Sequence, residues 1–555
     1  MKSLKKSVFI IILYLLHSVT PVIGCPKVLT DKFFRAGSGT YIIDKNYDLK
    51  GGIIAVPSEC TLIFKKGSLR NGTIVGDGTK LIGLKKNNFK NVDIEGDFIV
   101  SNVSYSMFTL YESDTKLLSA MFSLALTGRD TCVLTLEKNR VYDFFTEYDA
   151  GGAGYTGYFE YKESANKKII GNGSIINDKR KISRVTSSAC QFIMSLYGVK
   201  NFDIRDLNYR NNTEEIIWDS KTTDPGYKGY GFICVRDKSQ DVSIYVPSMT
   251  GCRYGVYVGD AVSSDDLTPS RNIIVNIDHA FDVGYPVLTE NVDRFSINVN
   301  SESVHRTCYI VGSSNGQITA KVKTQHAAPY QILLCEQIWT YNGVSYSKGA
   351  NNLLINVEDL GSDYAKDGDA LCGIGMWFED NVLFGNTVGE WRDIEIRATL
   401  NKNTPIAQGA FGASINVKDP SVSLAKRKYI LDHINVTVDD YRENKGVLSR
   451  LVWFTLNDNT TISNVNLKLK SDVSWVILSG IRGDNVRIEN SNVEMLSVFG
   501  NVSIENTRVK RMNYYKGCVT DELALKNYVI TLKDSYVNKS DIMTMRSNNA
   551  TFVIQ

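Results

Sequence analysis

The chain has 555 residues, 43% hydrophobic and 22% charged, with 43 Gly, 29 Tyr, only 10 Pro and a formal charge of +3. That apolar mass excludes a disordered chain, 10 Cys exclude a disulfide-dense miniprotein, and so weak a charge gives no footing for nucleic acid. Length alone would accommodate about three domains of roughly 100–200 residues, unless a repeat runs through it.

The sequence opens MKSLKKSVFIIILYLLHSVTPVIGC. Lys2, Lys5 and Lys6 precede an uncharged apolar run from Val8 to Leu16, shorter than the roughly 20 residues a membrane span needs. Residues 1–24 therefore read as a secretory signal. Val22-Ile23-Gly24-Cys25 resembles a bacterial lipobox, which predicts lipidation of Cys25 and contact with a membrane through that lipid alone. Cleavage beside Gly24 without a lipid is the alternative. No later stretch approaches 18 apolar residues, so the remainder is expected outside the cytoplasm. The leader carries three Lys and no acid, which leaves the rest of the chain formally neutral.

The nine other Cys (Cys60, Cys132, Cys190, Cys234, Cys252, Cys308, Cys335, Cys372 and Cys518) cannot all pair within one chain, and no CxxC occurs. Most lie in apolar runs such as FICV and QILLC, which predicts buried thiols. A Cys234–Cys252 bridge stays open as an alternative.

Residues 25–112 read as a β-rich cap and first coils, with short strands between Gly turns over 41–83. SDTKLLSAMFSLALTGRD (113–130) then switches to helical period. Leu117, Met121 and Leu124, with Leu118, Phe122 and Ala125, make one broad apolar stripe; Ser113 or Asp114 caps its start and Gly128 its end. A capping helix is expected at about 113–127, followed by a parallel solenoid to 555.

The solenoid follows from a loose repeat. NVRIENSNV (485–493) and NVSIENTRV (501–509) are nearly one nonapeptide, and NFDIRDLNY, DVSIYVPSM, RFSINVNSE, GQITAKVKT, LLINVEDL and WRDIEIRAT are upstream relatives. Each alternates apolar and polar residues, the period of a strand with one buried face. Gly, Asn, Asp and Ser cluster between them as turn formers. Recurrence every 16–30 residues without intervening helices excludes a doubly wound α/β sheet and predicts an all-β, single-stranded parallel β-helix of about 15–20 coils. Asn-rich turns fit, because stacked Asn side chains hydrogen-bond along the stack.

A helix beginning at Asp114-Thr115, then CVLTLEKNRVYDF, then IIGNGSII, resembles the pectate-lyase superfamily of right-handed parallel β-helix proteins. The resemblance is detailed over 110–250 and elsewhere rests on coil periodicity. It implies a right-handed coil and a polymeric carbohydrate ligand along the solenoid. It does not specify a reaction, because one fold hosts many chemistries.

Familiar motifs give little. GAGYTG (152–157) matches GxGxxG, but aromatic, turn-rich flanks replace the strand and helix a phosphate loop needs. GxxxxGK[ST] and HExxH are absent from the sequence. The polygalacturonase motifs do not occur in order, and Asp265-Asp266 lacks a Gly-His-Gly partner.

Position in the coil is more informative. Acidic residues follow most candidate strands between 230 and 380: Asp237, Asp260, Glu290, Glu336 and Glu379. Equivalent positions stack about 4.8 Å apart, which would make Asp260 and Glu290 neighbours. Glu290 and Glu336 would lie two coils apart, about 9–10 Å, with Gly312 or Ser313 between them. Such spacings suit the carboxylate pair of a glycosidase, one member protonated by repulsion from the other. Solvated strand ends are the plain alternative. By strict alternation Asp260 points inward unless the strand ends at Gly259.

Three His precede successive strands, His279, His305 and His326, with Arg306 and Arg253 at similar places. That grouping suits β-elimination of a uronic acid, with His305, Arg306 or His326 as base and Ca²⁺ on Asp or Glu to neutralise the carboxylate. No cofactor is otherwise implied. Tyr257, Tyr309 and Trp377 fall on outward parity, where a ring stacks on a pyranose, and Glu379 and Asp237 would border the same groove. Tyr155, Tyr158 and Tyr161, with Trp218, Tyr227 and Tyr230, would form a wall. The long loops at 145–165, 212–230 and 340–350 favour a built cleft.

Three functions remain. A polysaccharide hydrolase would use a pair among Asp260, Glu290 and Glu336. A polysaccharide lyase would use His305 or His326 with Arg306. A non-catalytic surface protein would bind glycan only.

Overall fold

The computed structural model describes residues 27–34, 37–128, 130–149, 154–183, 190–211, 229–259, 268–323, 330–342, 344–361, 372–379, 388–404, 409–416, 428–443, 449–455, 460–471, 474–481, 485–515 and 527–555. Two compact units divide the chain, Met1–Arg129 and Asp130–Gln555.

In the first unit a long bent strand, Ser68–Ile82, pairs in parallel with Asn46–Asp48, Ile53–Ala55, Thr61–Phe64 and Phe89–Ile99. The expected helix forms over Asp114–Leu126, where the Ser113 hydroxyl accepts the Lys116 amide and Leu117, Leu118, Met121, Phe122, Leu124 and Ala125 are buried. It belongs to this unit.

The second unit is a parallel β-helix, of the right-handed sense that parallel crossovers take. A front sheet stacks Tyr155–Lys162, Cys190–Tyr197, Gly229–Arg236, Tyr254–Gly259, Tyr285–Glu290, Cys308–Val311, Tyr330–Cys335, Cys372–Glu379 and four further strands to Asn492–Gly500. A back sheet stacks the longer strands from Ala165–Asp178 to Ala550–Ile554. Coil length runs from 16 residues between Asn490 and Asn506 to 42 between Tyr330 and Cys372, longer than the sequence repeat suggested. The nonapeptide repeat falls on successive coils, Arg487 opposite Ser503.

Inward positions carry the core. Val256 and Val258, Val287, Ile310, Ile332 and Leu334 stack along the front sheet. Val275, Ile297, Ile318, Ile355 and Ile396 fill one inward column of the back sheet, and all these side chains are essentially inaccessible. Each contributes roughly 1.5–3 kcal/mol of burial.

The turn ahead of the back sheet explains the Asn bias. Asn166, Asn201, Asp241, Asn272, Arg294, Asn315, Asn352, Asp393, His433, Asn464 and Asn485 share left-handed backbone, φ between 52° and 64°. Register brings the residues preceding them together coil after coil, as in Gln240 opposite Arg271 and Arg271 opposite Asp293. Side-chain amides run along this column: Asn201 donates to Asn166 at 2.8 Å, Asn352 to Asn315 at 2.6 Å and Asn485 to Asn464 at 2.8 Å. Asn tolerates left-handed backbone better than most residues. Arg294 breaks the pattern, holding φ 60° with only a loose 3.5 Å pair to Asp293. Arg294→Asn is therefore expected to raise stability by about 1 kcal/mol, read as a higher denaturant midpoint at unchanged slope.

Strand ends carry buried acids. Asp178 is paired with Arg180, and Asp440 with Arg442 at 2.8 Å, all four side chains being almost inaccessible. Asp359 sits at a similar strand end, accepting the Gly361 amide at 2.8 Å and the Thr404 hydroxyl at 3.2 Å. Burial pushes its carboxyl up to about 6, against the opposing effect of those bonds and of Arg442. A raised carboxyl favours the folded state while protonated. Its stabilising contribution is thus full below about pH 4 and is lost as pH rises through about 6, a change of a few kcal/mol. Denaturation midpoints measured from pH 4 to 7 should fall in that window for the natural chain and flatten in Asp359→Asn.

Candidate functional site

The outer surface of the front sheet gathers several of the residues singled out above. Parallel register places Tyr257, Leu288, Tyr309 and Leu333 in one outward column, and Gly259, Glu290, Val311 and Cys335 in the next, with residue 377 at the matching backbone position. Tyr254 and Tyr285 pair in an earlier column. Cys190, Phe192, Cys234, Tyr254, Tyr257, Tyr285 and Leu288 form one buried cluster, with Tyr155 and Tyr309 packed against it. Strands such as YGVYVG are thus apolar on both faces, which is why they read as continuous hydrophobic runs.

Glu290 stands half-buried at the rim of this cluster. The Tyr257 hydroxyl donates to its Oε2 at 2.5 Å, and the Tyr155 and Tyr254 hydroxyls lie 3.3 Å apart. Burial pushes the Tyr257 phenol well up, the neighbouring Glu290 charge adding to it, so Tyr257 remains a donor at neutral pH. Tyr155 moves up as well, through burial first, with Glu290 again contributing. Cationic groups border the tyrosines. The Arg253 guanidinium lies 5.0 Å from the Tyr254 ring and Arg306 5.8 Å from Tyr309, while His305 meets Tyr285 edge-on at 5.4 Å.

The expected acid ladder is corrected by register. Glu290 is a strand residue opposite Gly259 and Val311, and Val311 in turn opposes Cys335. Glu336 is consequently one position beyond the Glu290 column. One residue of slip turns a side chain to the other face. Glu336 is only 5% exposed, and its Oε2 accepts the Ser347 hydroxyl at 2.6 Å. The Glu290–Glu336 pair therefore does not form on one face. Asp237 is exposed at a left-handed turn, φ 56°, past the end of its strand.

The histidine ladder is corrected too. His279 is exposed on the back sheet, stacked on Phe281 at 6.2 Å, where a bulge separates Ile277 from Ala280. His305 is 5% exposed beyond the next back strand. The two occupy different places in the coil. Tyr257, at 0% exposure, offers no open face to a sugar, whereas Tyr309 keeps a half-buried one. Cys25, Asp260 and His326 lie outside the described residues, as do the side chains of Trp377 and Glu379 on the Cys372–Glu379 strand.

Two segments expected as loops hold regular structure. Tyr155–Lys162 is a front strand, and Gln337–Tyr341 pairs antiparallel with Val344–Lys348. Asn342-Gly343 between alternating runs would have signalled that hairpin. Cys234 and Cys252 are buried and not bridged by a disulfide, like the other described thiols. Burial pushes Cys132 to about 11 and Cys190 to about 12, which suits inert core residues. Among the described residues no three His, Cys, Asp or Glu side chains converge to hold a metal ion.

Gly259 was not anticipated as part of the site. A Cβ there would strike the Glu290 carbonyl, and φ of 120° ends the regular strand at that residue. Glycine thus lets two coils close up beside the carboxylate.

No family model and no curated protein matches the chain. Among solved structures it is similar to the catalytic domain of a GH87 α-1,3-glucanase variant in complex with nigerose, at 11% identity and a TM-score of 0.26, over 73% of this chain. The chain spans 64% of that domain's length. It is also similar to a mutant tailspike protein of E. coli bacteriophage HK620 in complex with a hexasaccharide, at 11% identity and a TM-score of 0.21, over 91% of this chain and 73% of that one. Overlap at this level says nothing about the reaction.

Proposed function

We propose that this chain is an extracytoplasmic protein, anchored through a lipid on Cys25, that hydrolyses a polymeric glycan on the outer face of its front sheet. The observation that supports this most is Glu290: an outward, half-buried carboxylate, held by the Tyr257 hydroxyl at the edge of a buried tyrosine cluster, with half-buried Tyr155 and Tyr309 packed against it. A phenol donating to Glu290 stabilises a carboxylate there, which suits the nucleophile.

The proposed acid is Asp260, which follows the strand partner of Glu290. Gly259, its neighbour, holds φ 120°, outside the backbone of a regular strand. A retaining mechanism requires the two carboxyl groups about 5 Å apart. Glu290 would attack the anomeric carbon while Asp260 gives its proton to the departing glycosidic oxygen; water, deprotonated by Asp260, would then release the sugar. Tyr309, Arg306 and Trp377, the last in backbone register with the Glu290 column, would line the glycan's path.

Elimination on a uronate is the second reading, favoured by the guanidinium groups of Arg253 and Arg306 beside tyrosines. Products separate the two. Hydrolysis of a polysaccharide panel yields new reducing ends without the ultraviolet absorbance of an unsaturated uronate. Elimination yields both, and binding without either product would overturn both readings.

A further inference from the structure

An antiparallel hairpin interrupts the parallel solenoid directly after Glu336, Gln337–Tyr341 pairing with Val344–Lys348. Its base is tied to the turn that follows the Glu290 strand. The Ser347 hydroxyl donates to Glu336, and the Lys348 ammonium donates to Asn291 Oδ1 at 2.9 Å; Asn291 is the residue after Glu290.

Strand alternation puts Gln337, Trp339 and Tyr341 on one hairpin face, together with their partners Lys348, Tyr346 and Val344. The face whose base reaches Asn291 through Lys348 therefore also carries the Trp339–Tyr346 pair. Those rings lie 5.5 Å apart and within 13° of parallel. Tyr346 is 39% exposed and Trp339 half-buried. Trp339 stands two residues, about 7 Å, out from the base.

A cross-strand aromatic pair steadies a hairpin by about 0.2–1 kcal/mol. That role does not require a hairpin at this point of the coil, nor a base tied to the neighbour of Glu290. Flat apolar rings with partial exposure beside a glycan carboxylate have a natural ligand in the C–H face of a pyranose. We infer that Trp339 and Tyr346 form a sugar-stacking subsite, holding a pyranose ring of the polymer beyond the bond at Glu290. The inference rests on the glycan reading of that site.

The test labels the full chain with 5-fluorotryptophan. Of six Trp resonances, the one lost in Trp339→Phe reports this position. Hexasaccharides of neutral glucans, xylan and galacturonan are titrated in. The expected result is a saturable shift of the Trp339 resonance with at least one of them. Trp339→Ala should also raise KM for that hexasaccharide about tenfold, while cleavage of a trisaccharide stays unchanged and the thermal midpoint falls by no more than about 2 °C. A resonance that moves with no hexasaccharide, or an unchanged KM in Trp339→Ala, overturns the subsite. If the resonance shifts but Glu290→Gln cleaves normally, the subsite stands and the catalytic assignment fails.

Discussion

Arg180→Met is expected to cost about 3–5 kcal/mol of stability, because it removes one partner of a buried ion pair and leaves the other charged. Arg180 and Asp178 are both at 0% side-chain exposure and 2.6 Å apart at their closest contact. Asp178 also takes the Tyr209 hydroxyl at 2.7 Å. Arg180 does more than neutralise it, donating to the carbonyls of Gln191 at 2.7 Å and Gly231 at 3.1 Å on two successive front strands. Losing it orphans a carboxylate and two backbone acceptors together. The denaturant midpoint of the full chain should fall strongly. Asp178→Asn in the same chain should recover part of the loss, since the stranded charge is then gone. A midpoint within the range of ordinary surface substitutions would mean that this clamp is not holding the coils.

Glu290→Gln is expected to reduce glycan cleavage by at least about 10²–10⁴-fold with little change in stability. The amide keeps the size of the side chain and still accepts the Tyr257 hydroxyl, but it cannot attack an anomeric carbon. The loss should lie in kcat, with KM for a long substrate nearly unchanged, because the surrounding rings are untouched. Tyr257→Phe separates holding from chemistry. It leaves the aromatic cluster packed and removes the bond at 2.5 Å, so a smaller kcat loss than that of Glu290→Gln is expected.

The coil architecture was legible because it is written in short-range pattern. Alternation in RFSINVNSE and the 485–509 repeat set strands on parallel register, and the helix at 114–126 was visible from its apolar stripe and Ser113 cap. Site geometry was not, because it depends on where each strand stops. Glu290 and Glu336 both follow apolar runs of similar length, yet Glu290 is inside its ladder while Glu336 lies past Cys335, and that single residue sends them to different faces. His279 and His305 looked in phase by spacing alone; His279 lies on the back sheet at the bulge after Ile277, whereas His305 lies beyond the end of the next back strand. Tyr257 shares no column with Val256 and Val258, as its parity indicates, but long-range packing of Tyr254, Phe192 and Tyr155 covers it.

The most direct test of a glycan-cleaving front sheet is the structure of Glu290→Gln crystallised with a hexasaccharide of whichever polymer the natural chain cleaves. Sugar rings are expected across the outer face of that sheet, one anomeric carbon beside residue 290 and another ring against Trp339 and Tyr346. Rings bound elsewhere, for example in the cleft of about 510 Å³ lined by Ser471, Asn490 and Asn506, with the Glu290 face empty, would contradict it.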